Sequence, residues 1–487
     1  MFRTTLIPLT LILSVPSVPA QGGVDGSAES AERKRPNILV IVGDDHAADA
    51  LGCAGHPFLE TPALDGLAAE GVRFTSAFTT TALCSPSRAS LWTGRYARQH
   101  GVLDDNTLFP SDLPTVFSAL ADVGYETGFI GKWHMGSSGW ARPPFDYHAT
   151  FEGEGEYEGC LFKVGELTRR AEGFVDDAIA NYALEYLRRD HDRPFILTVA
   201  FRASSGPRIA REHLQERYAD ARLGWPENVG ALPPYPNSRE FKGLAKARRG
   251  AKLHRMKIGE DWALQRAREP FETTESYMDG RGSRRQYFRL VSGLDENVGQ
   301  VLRALELFGL RDDTIVVYIA DNGMMNGAHS LSGSGSAYEE SMHIPWIVRH
   351  PGLERSGVEV DELVLNVDLM PTLLDWAGVD VPEDVSGRSV APLVAGEPVD
   401  DWRQAFVYEY WRNGQWSANV PDHIALRTRD FKLVEYPEYP RWRQLFDLGS
   451  DPLETLDLAR DAGYLEQLLE LRQSLAEHED AIGPRVP

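Results

Sequence analysis

The stretch Asn37-Ile38-Leu39-Val40-Ile41-Val42-Gly43-Asp44-Asp45 decides the fold class. The residues from Asn37 to Val42 are almost wholly apolar and rich in β-branched types, which is typical of a strand buried on both faces. Two carboxylates follow at once, at the end of a strand where ligands of open α/β sheets gather. Gly-Asp is also common turn chemistry. Two adjacent acids at a buried strand end nevertheless favour a cation that neutralises them.

Three further boxes follow along the chain. The first is Cys84-Ser85-Pro86-Ser87-Arg88, continued by Ala89-Ser90-Leu91-Trp92-Thr93-Gly94-Arg95. The second is Gly131-Lys132-Trp133-His134-Met135-Gly136, after a short strand from Thr127 to Ile130. The third is Asp321-Asn322-Gly323, after an apolar strand pattern from Thr314 to Ala320. A lone cysteine is usually a small buried side chain without chemistry, but the order of these boxes indicates a shared site.

In this order the boxes closely resemble those of type I sulfatases, a formylglycine-dependent family of the alkaline-phosphatase-like superfamily. The resemblance runs from Pro36 to about Asp451 and includes Leu445-Phe446-Asp447-Leu448. It implies an α/β fold, an alkaline-phosphatase-like sandwich with a large mixed central sheet flanked by helices and a small C-terminal α+β subdomain. The alternation of strand and helix patterns also predicts a doubly wound sheet.

The resemblance implies that one calcium ion binds at the strand ends. The implied ligands are Asp44, Asp45, Asp321, Asn322 and the modified Cys84. Apart from Cys84, these residues offer only hard oxygen atoms, which suit calcium or magnesium rather than zinc.

The resemblance also implies a covalent mechanism. Cys84 would be oxidised to Cα-formylglycine by a formylglycine-generating enzyme, and the hydrated aldehyde would be the nucleophile. Arg88 would hold that group, Lys132 would neutralise developing charge, and His134 would accept a proton. The expected function is a sulfatase, a sulfuric ester hydrolase that releases sulfate from a sulfated carbohydrate or another sulfate ester, in the manner of an exported bacterial glycan sulfatase.

Two positions depart from the family pattern. Ser205 stands where sulfatases usually carry a histidine, and Ser334 stands where a gap-free count places their usual lysine. In the family these two residues bind the sulfate and protonate the leaving oxygen, a contribution typically worth about 10²–10⁴-fold. His329 and His343 are nearby candidates to substitute for them at the substrate site.

The sequence leaves two other interpretations of the function open. One is a phosphatase or phosphonate hydrolase of the same superfamily, which the Cys84 box disfavours. The other is a catalytically impaired relative that keeps the fold and the metal but only binds sulfated glycans, which Ser205 and Ser334 motivate.

Composition and the chain start add the remaining expectations. The net charge of −22 argues against nucleic acid as a partner. Residues 1–20 predict a secretory signal peptide and residues 21–35 a flexible linker, so the protein is expected to be periplasmic or secreted, without a membrane span. The catalytic domain is predicted over 36–395 and the C-terminal subdomain over 396–487. Three cysteines make no disulfide framework, and whether Cys53 and Cys160 pair stays open.

One basic cluster stands out in this acidic chain, with seven cationic residues between Lys242 and Lys257 and no acid among them. It is either a solvated loop face or a contact for a polyanionic glycan.

Overall fold

A ten-stranded mixed sheet forms the centre of the computed structural model. The structure describes residues 35–135, 145–206, 208–221, 223–224, 226–229, 284–331, 333–353, 355–411 and 420–485. The strands of the described residues, ten of them in this sheet and six in two smaller sheets, are β1 (Asn37–Gly43), β2 (Val72–Phe74), β3 (Ala77–Phe78), β4 (Glu126–Lys132), β5 (Tyr147–Phe151), β6 (Leu161–Val164), β7 (Leu167–Arg170), β8 (Phe195–Ala200), β9 (Thr314–Ala320), β10 (Trp346–Arg349), β11 (Val358–Val360), β12 (Val364–Leu365), β13 (Ala405–Tyr410), β14 (His423–Thr428), β15 (Phe431–Glu435) and β16 (Arg443–Asp447).

The strand order brings the sequence boxes to one edge. The order is β11-β2-β10-β9-β1-β8-β4-β5-β6-β7, and the run from β9 to β5 is parallel. Gly43 at the end of β1 lies beside Ala320 at the end of β9. Gly131 near the end of β4 lies beside Ala200 at the end of β8. The residues that follow these strands therefore meet at the carboxyl edge of the sheet, where α/β proteins bind ligands.

Helices cover both faces of the sheet. The α-helices of the described residues, not all of which contact this sheet, are α1 (Pro62–Glu70), α2 (Cys84–Thr93), α3 (Ala97–His100), α4 (Val116–Asp122), α5 (Val175–Leu187), α6 (Arg284–Leu307), α7 (Glu339–Met342), α8 (Leu369–Trp376), α9 (Ala391–Ala395) and α10 (Leu465–Ile482). Side chains alternate along β1, so Val40 joins the core that includes α2, α4 and α8, and Ile41 joins the core that includes α1, α5 and α6. This double coverage explains the unbroken apolar run of β1.

A second sheet follows near the end of the chain. Strands β13 to β16 form an antiparallel meander, and α10 packs Leu468, Leu471 and Leu475 against one of its faces. The other face packs against the segment that carries Tyr338. The mixed α/β sheet with flanking helices and the small C-terminal α+β part confirm the predicted fold class. The boundary between residues 395 and 396 stays a prediction.

Several expectations concern residues that the structure does not describe. The predicted signal peptide, nearly all of the predicted linker and the basic cluster from Lys242 to Lys257 lie outside the described residues. Within the described part of the chain, no helix combines the length and apolarity needed to cross a bilayer. Cys53 and Cys160 are both free thiols.

Candidate active site

Cys84 is the first residue of α2, which points its N-terminal end at the carboxyl edge of the sheet. Its side chain is buried, and its Sγ lies 3.7 Å from Asp44 Oδ1 and 3.7 Å from Lys132 Nζ. Burial raises the pKa of the Cys84 thiol well above its usual value, and although Lys132 opposes this effect, the neighbouring carboxylates add to it. As a thiol, Cys84 is therefore poorly suited to act as a thiolate nucleophile.

Arg88 lies one helical turn after Cys84, so both side chains face the strand ends. Its guanidinium is fully buried and donates Nε to Asp321 Oδ2 at 3.0 Å and Nη2 to Asp44 Oδ1 at 3.0 Å. The remaining group, Nη1, donates to the Lys132 carbonyl at 2.6 Å. Arg88 thus ties together the ends of β1, β9 and β4, which is the fork geometry that arginine provides and lysine does not.

Three buried carboxylates crowd the ends of β1 and β9. Burial would raise the pKa of Asp44, but Lys132 and Arg88 outweigh it and hold the value below the usual range. Burial, with the charge of Asp44, raises the pKa of Asp45 to about 6. Burial also raises the pKa of Asp321 well above its usual value, against the effect of Arg88. The two available cations therefore do not neutralise this group fully.

The donor set at this position fits a hard cation. Asn322 Nδ2 donates to Asp45 Oδ1 at 2.7 Å, while the amide oxygen of Asn322 is buried and has no hydrogen-bond partner among the described residues. Ligand atoms of Asp44, Cys84 and Asp321 lie within 4.8 Å of one another, and all three residues are buried. Carboxylate and amide oxygens are the ligands that calcium prefers, so the residues predicted to bind metal are brought together.

Lys132 and His134 follow β4 on the other side of Cys84. Lys132 is fully buried, with its Nζ 2.6 Å from Asp44 Oδ2 and 2.7 Å from Glu154 Oε2. His134 Nδ1 lies 3.5 Å from Glu154 Oε1. Burial, and then the charge of Lys132, lowers the pKa of His134, although Glu154 opposes this shift. The imidazole is therefore neutral at neutral pH and able to accept a proton.

The two serine positions differ in their placement. Ser205 is buried next to Ser204, whose backbone N–H donates to the Asp44 carbonyl at 2.6 Å, so the segment borders the metal ligands. Ser334 is half-buried between Gly333 and Gly335. No contact among the described residues joins Ser334 to Cys84 or Lys132.

His329 belongs to a different buried group. Its ring stacks on Tyr338 with centroids 3.7 Å apart, and its Nε2 lies 3.9 Å from Glu340 Oε2. Burial, helped by Lys432, lowers the pKa of His329 to about 3. His343 stacks on Phe78 within the core. The structure thus places neither ring in contact with Cys84, and a substrate role for His329 stays a prediction.

Sequence reasoning missed two acidic residues of the site. Glu154 lies on the loop between β5 and β6, as one of four glutamates at alternate positions from Glu152 to Glu158, and nothing in that run distinguishes it from the other three. Asp105 accepts a hydrogen bond from the Ser85 N–H at 3.0 Å, and its carboxylate lies within 4.8 Å of ligand atoms of Cys84 and His134. Neither follows a strand directly, so no sequence pattern placed them at the sheet edge.

Comparisons with known proteins agree with this geometry. The model of the Sulfatase family matches residues 36–379, and that of the N-sulphoglucosamine sulphohydrolase C-terminal region matches residues 327–481. The chain is similar to the N-acetylglucosamine-6-O-sulfatase of Bacteroides thetaiotaomicron, with 29% identity covering 96% of this chain and 90% of that one. It is also similar to the uncharacterized sulfatase YidJ of Escherichia coli, with 30% identity covering 92% and 88% of the two chains.

A solved structure shares the fold. It is described as a complex with its substrate D-glucosamine-2-N,6-O-disulfate, and it matches with a TM-score of 0.79 and 28% identity over 92% of this chain and 98% of that one. The strand-end carboxylates, the Cys84 helix and the Lys132 strand are the parts of this chain that the sulfatase resemblance had singled out. Because the family model spans well over half of the sequence, the chain belongs to the sulfatase family and is a sulfuric ester hydrolase.

Proposed function

We propose that this sulfatase releases sulfate from sulfated carbohydrates through a formylglycine nucleophile made from Cys84. The observation that carries the proposal is the position of Cys84 at the start of α2, 3.7 Å from both Asp44 Oδ1 and Lys132 Nζ. The carbohydrate substrate is supported by the N-acetylglucosamine-6-O-sulfatase relative and by the neighbour bound to a sulfated glucosamine.

Calcium is the proposed metal, held by Asp44, Asp45, Asp321, Asn322 and the modified Cys84. When bound, it would supply positive charge that lowers the pKa of a neighbouring hydroxyl and offsets the negative charge of the transition state. The unpaired Asn322 oxygen and the raised pKa values of Asp45 and Asp321 support a cation at this position.

The side chains around Cys84 divide the proposed reaction between them. The aldehyde made from Cys84 hydrates to a geminal diol. Arg88 holds that diol in place, because the Arg88 guanidinium is itself fixed by hydrogen bonds to Asp44 and Asp321 at the two strand ends. One diol hydroxyl loses its proton to water, its oxygen attacks sulfur, and the bond between sulfur and the alcohol oxygen breaks. The alkoxide that leaves takes a proton from water. Lys132 stabilises the charge that develops on the sulfate oxygens.

The second half of the reaction needs a base. His134 takes the proton of the remaining diol hydroxyl, the bond between carbon and the sulfate oxygen breaks, and the aldehyde re-forms as sulfate leaves. Cleavage of this carbon–oxygen bond avoids a second attack at sulfur, which explains why a diol serves better than a serine hydroxyl.

This function also requires a modifying enzyme and a route of export. A formylglycine-generating enzyme would modify Cys84 during export, and the predicted signal peptide would direct the protein to the periplasm or beyond.

The test combines mass and turnover. The Cys84 peptide of the exported protein should be lighter by about 18 Da than the cysteine form, because an aldehyde replaces the thiol. Cys84→Ala should abolish turnover of sulfate esters, while the control Cys160→Ala should retain it. A free thiol at Cys84 in protein that still hydrolyses sulfate esters would show that the nucleophile is wrong.

Two substrates separate the alternatives. The sulfate ester of an aryl group should turn over faster than the phosphate ester of the same group, and the reverse order would indicate a phosphatase. Binding of sulfated glycan by fully modified protein, without turnover of any sulfate ester, would indicate a binding protein.

A further inference from the structure

The carboxylate of Glu154 lies between two side chains that the proposed mechanism uses, yet that mechanism gives it no role. Its Oε2 is 2.7 Å from Lys132 Nζ, and its Oε1 is 3.5 Å from His134 Nδ1. The Glu154 side chain is 43% exposed, whereas Lys132 is fully buried. Of the two partners, the glutamate is therefore the one that can move.

The backbone of the Glu154 loop is held in place from a neighbouring segment. Arg202 Nε donates to the carbonyl oxygens of Glu154 at 2.8 Å and Gly155 at 3.2 Å, and the Arg202 guanidinium lies 3.8 Å over the Tyr157 ring. Gly155 has a φ of 68°, and a Cβ there would lie 2.6 Å from the Phe151 ring. The loop backbone is thus fixed at a position that only glycine tolerates, and the freedom that remains is in the Glu154 side chain.

A sulfate group seated at residue 84 would compete with Glu154 for the Lys132 ammonium. Lys132 Nζ lies 3.7 Å from Cys84 Sγ, so a sulfate group seated at residue 84 needs the same ammonium. Glu154 is a carboxylate at neutral pH, since its pKa is low: burial opposes ionisation, but Lys132 and His134 outweigh burial. Lys132 Nζ also contacts Asp44 Oδ2 at 2.6 Å, so a sulfate group would be the third anion at this ammonium. The repulsion among three anions is relieved most easily by displacement of the partly exposed Glu154.

His134 offers the displaced carboxylate a second partner. His134 Nδ1 is buried and has no hydrogen-bond partner among the described residues, and Glu154 Oε1 lies 3.5 Å from it. The distance of 3.5 Å is slightly longer than a good hydrogen bond. A small movement of the Glu154 carboxylate away from Lys132 would shorten the distance between Oε1 and Nδ1 to that of a hydrogen bond.

We propose that Glu154 exchanges partners in each turnover, neutralising Lys132 in the free enzyme and accepting the Nδ1–H of His134 once a sulfate group occupies Lys132. The inference rests on the proposed function, because it places a sulfate group at Lys132 and a base at His134. A carboxylate at Nδ1 selects the tautomer in which Nε2 is the proton acceptor. As Nε2 takes the diol proton, Glu154 balances the imidazolium charge, and the proton then passes to water. Glu154 is a positioning residue that acts through His134 and Lys132.

The Glu154→Gln variant should change sulfate affinity and kcat in opposite directions, which a general loss of structure would not do. With its competitor gone, inorganic sulfate should bind the calcium-loaded protein about ten-fold more tightly by calorimetry, because one negative charge beside Lys132 is removed. At the same time kcat should fall about 10- to 100-fold, because the imidazolium that forms on His134 loses the negative charge beside it. KM and kcat therefore fall together, the pattern of a lost ground-state competitor combined with a weakened base.

The same loop supplies matched controls. Glu152 and Glu156 are exposed, so Glu152→Gln and Glu156→Gln remove the same charge from the loop and should leave both constants near wild type. Glu154→Asp keeps the carboxylate on a shorter side chain and should restore part of kcat.

Two results would overturn the exchange. One is a sulfate affinity of Glu154→Gln that equals or falls below that of wild type, and the other is an unchanged kcat. The sulfate titration measures binding and requires no turnover, so it tests the competition between Glu154 and sulfate independently of the proposed reaction. A wild-type protein that binds sulfate but hydrolyses no sulfate ester would refute the proposed function instead.

Discussion

The two sides of the candidate site are built differently. On the nucleophile side, the Arg88, Asp44 and Asp321 side chains are fully buried and joined by hydrogen bonds of about 3 Å. The other part of the site, called the serine side here, contains Ser205, a neutral side chain, and Glu154, a carboxylate that is 43% exposed. The nucleophile side is buried and highly charged, whereas Ser205 is neutral and the Glu154 side chain is able to move.

This difference has a chemical consequence. Rigid charged groups are suited to holding a nucleophile and a sulfate group, because they need no rearrangement as charge develops. Protonation of a leaving oxygen needs an acid, and a serine hydroxyl is far too weak for that task at neutral pH. We therefore expect changes on the nucleophile side to have large effects on all substrates, and changes on the serine side to have smaller effects that depend on the substrate.

The largest effect is expected from Asp321→Asn. This change removes a proposed calcium ligand charge and one of the two carboxylates that Arg88 contacts. Calcium measured by elemental analysis after dialysis should fall from one per chain to nearly none, and kcat should fall at least about 10³-fold.

Asp312→Asn is the matched control, because Asp312 is exposed before the same strand. It should keep both calcium and activity. One zinc ion per wild-type chain in place of calcium, or full calcium in the Asp321→Asn protein, would contradict the assigned site.

Arg88→Lys should have the next largest effect. Lysine keeps the positive charge but cannot reach Asp44, Asp321 and the Lys132 carbonyl together, so one buried carboxylate loses its partner. We expect unfolding to become easier by about 3 kcal/mol, within the range measured for broken buried ion pairs, together with a fall in kcat of about 10²-fold.

Arg73→Lys provides the comparison, since Arg73 pairs with the exposed Glu359 and such surface pairs contribute little. Thermal unfolding and turnover of Arg88→Lys close to those of Arg73→Lys would show that charge alone, without the fork geometry, is sufficient.

The residues of the nucleophile side could be predicted from the sequence. Asp44 and Asp321 follow buried parallel strands, so the register of β1 with β9 fixes their proximity, and the apolar runs alone revealed those strands. Cys84 and Arg88 are four residues apart on one helix, which places them on the same face. Family resemblance then supplied their roles.

Glu154 could not be predicted in this way. It lies on an irregular loop whose course depends on the Arg202 side chain and on the glycine at position 155, and neither contact can be read from strand register or helical spacing. The position of Ser334 was inferred by counting along a segment without regular structure, and the described contacts do not join it to Cys84. Strand register and helical spacing allow the position of a side chain to be predicted from sequence, whereas the course of an irregular loop does not.

The smallest and most selective effect is expected on the serine side. Without a strong acid at position 205 or 334, the rate should depend steeply on the leaving group, with aryl sulfates of acidic phenols favoured over sugar sulfates. Ser205→His together with Ser334→Lys should raise turnover of sugar sulfates up to about 10²-fold and that of activated aryl sulfates little, because only the sugar alcohol needs protonation. Turnover rates of the wild type and the double variant, measured for a series of aryl sulfates and one sugar sulfate, would give the dependence on leaving-group pKa.

The single variant Ser205→His sharpens this last prediction. Ser205 borders the metal ligands through Ser204, while the described contacts do not link Ser334 to Cys84, so Ser205→His alone should provide most of the gain. Formylglycine content must be equal in the compared proteins, since incomplete modification lowers every rate alike. A flat dependence of the wild-type rate on leaving-group pKa would mean that another group already protonates the leaving oxygen. Unchanged sugar-sulfate turnover in a folded, fully modified double variant would mean that these serines do not face that oxygen.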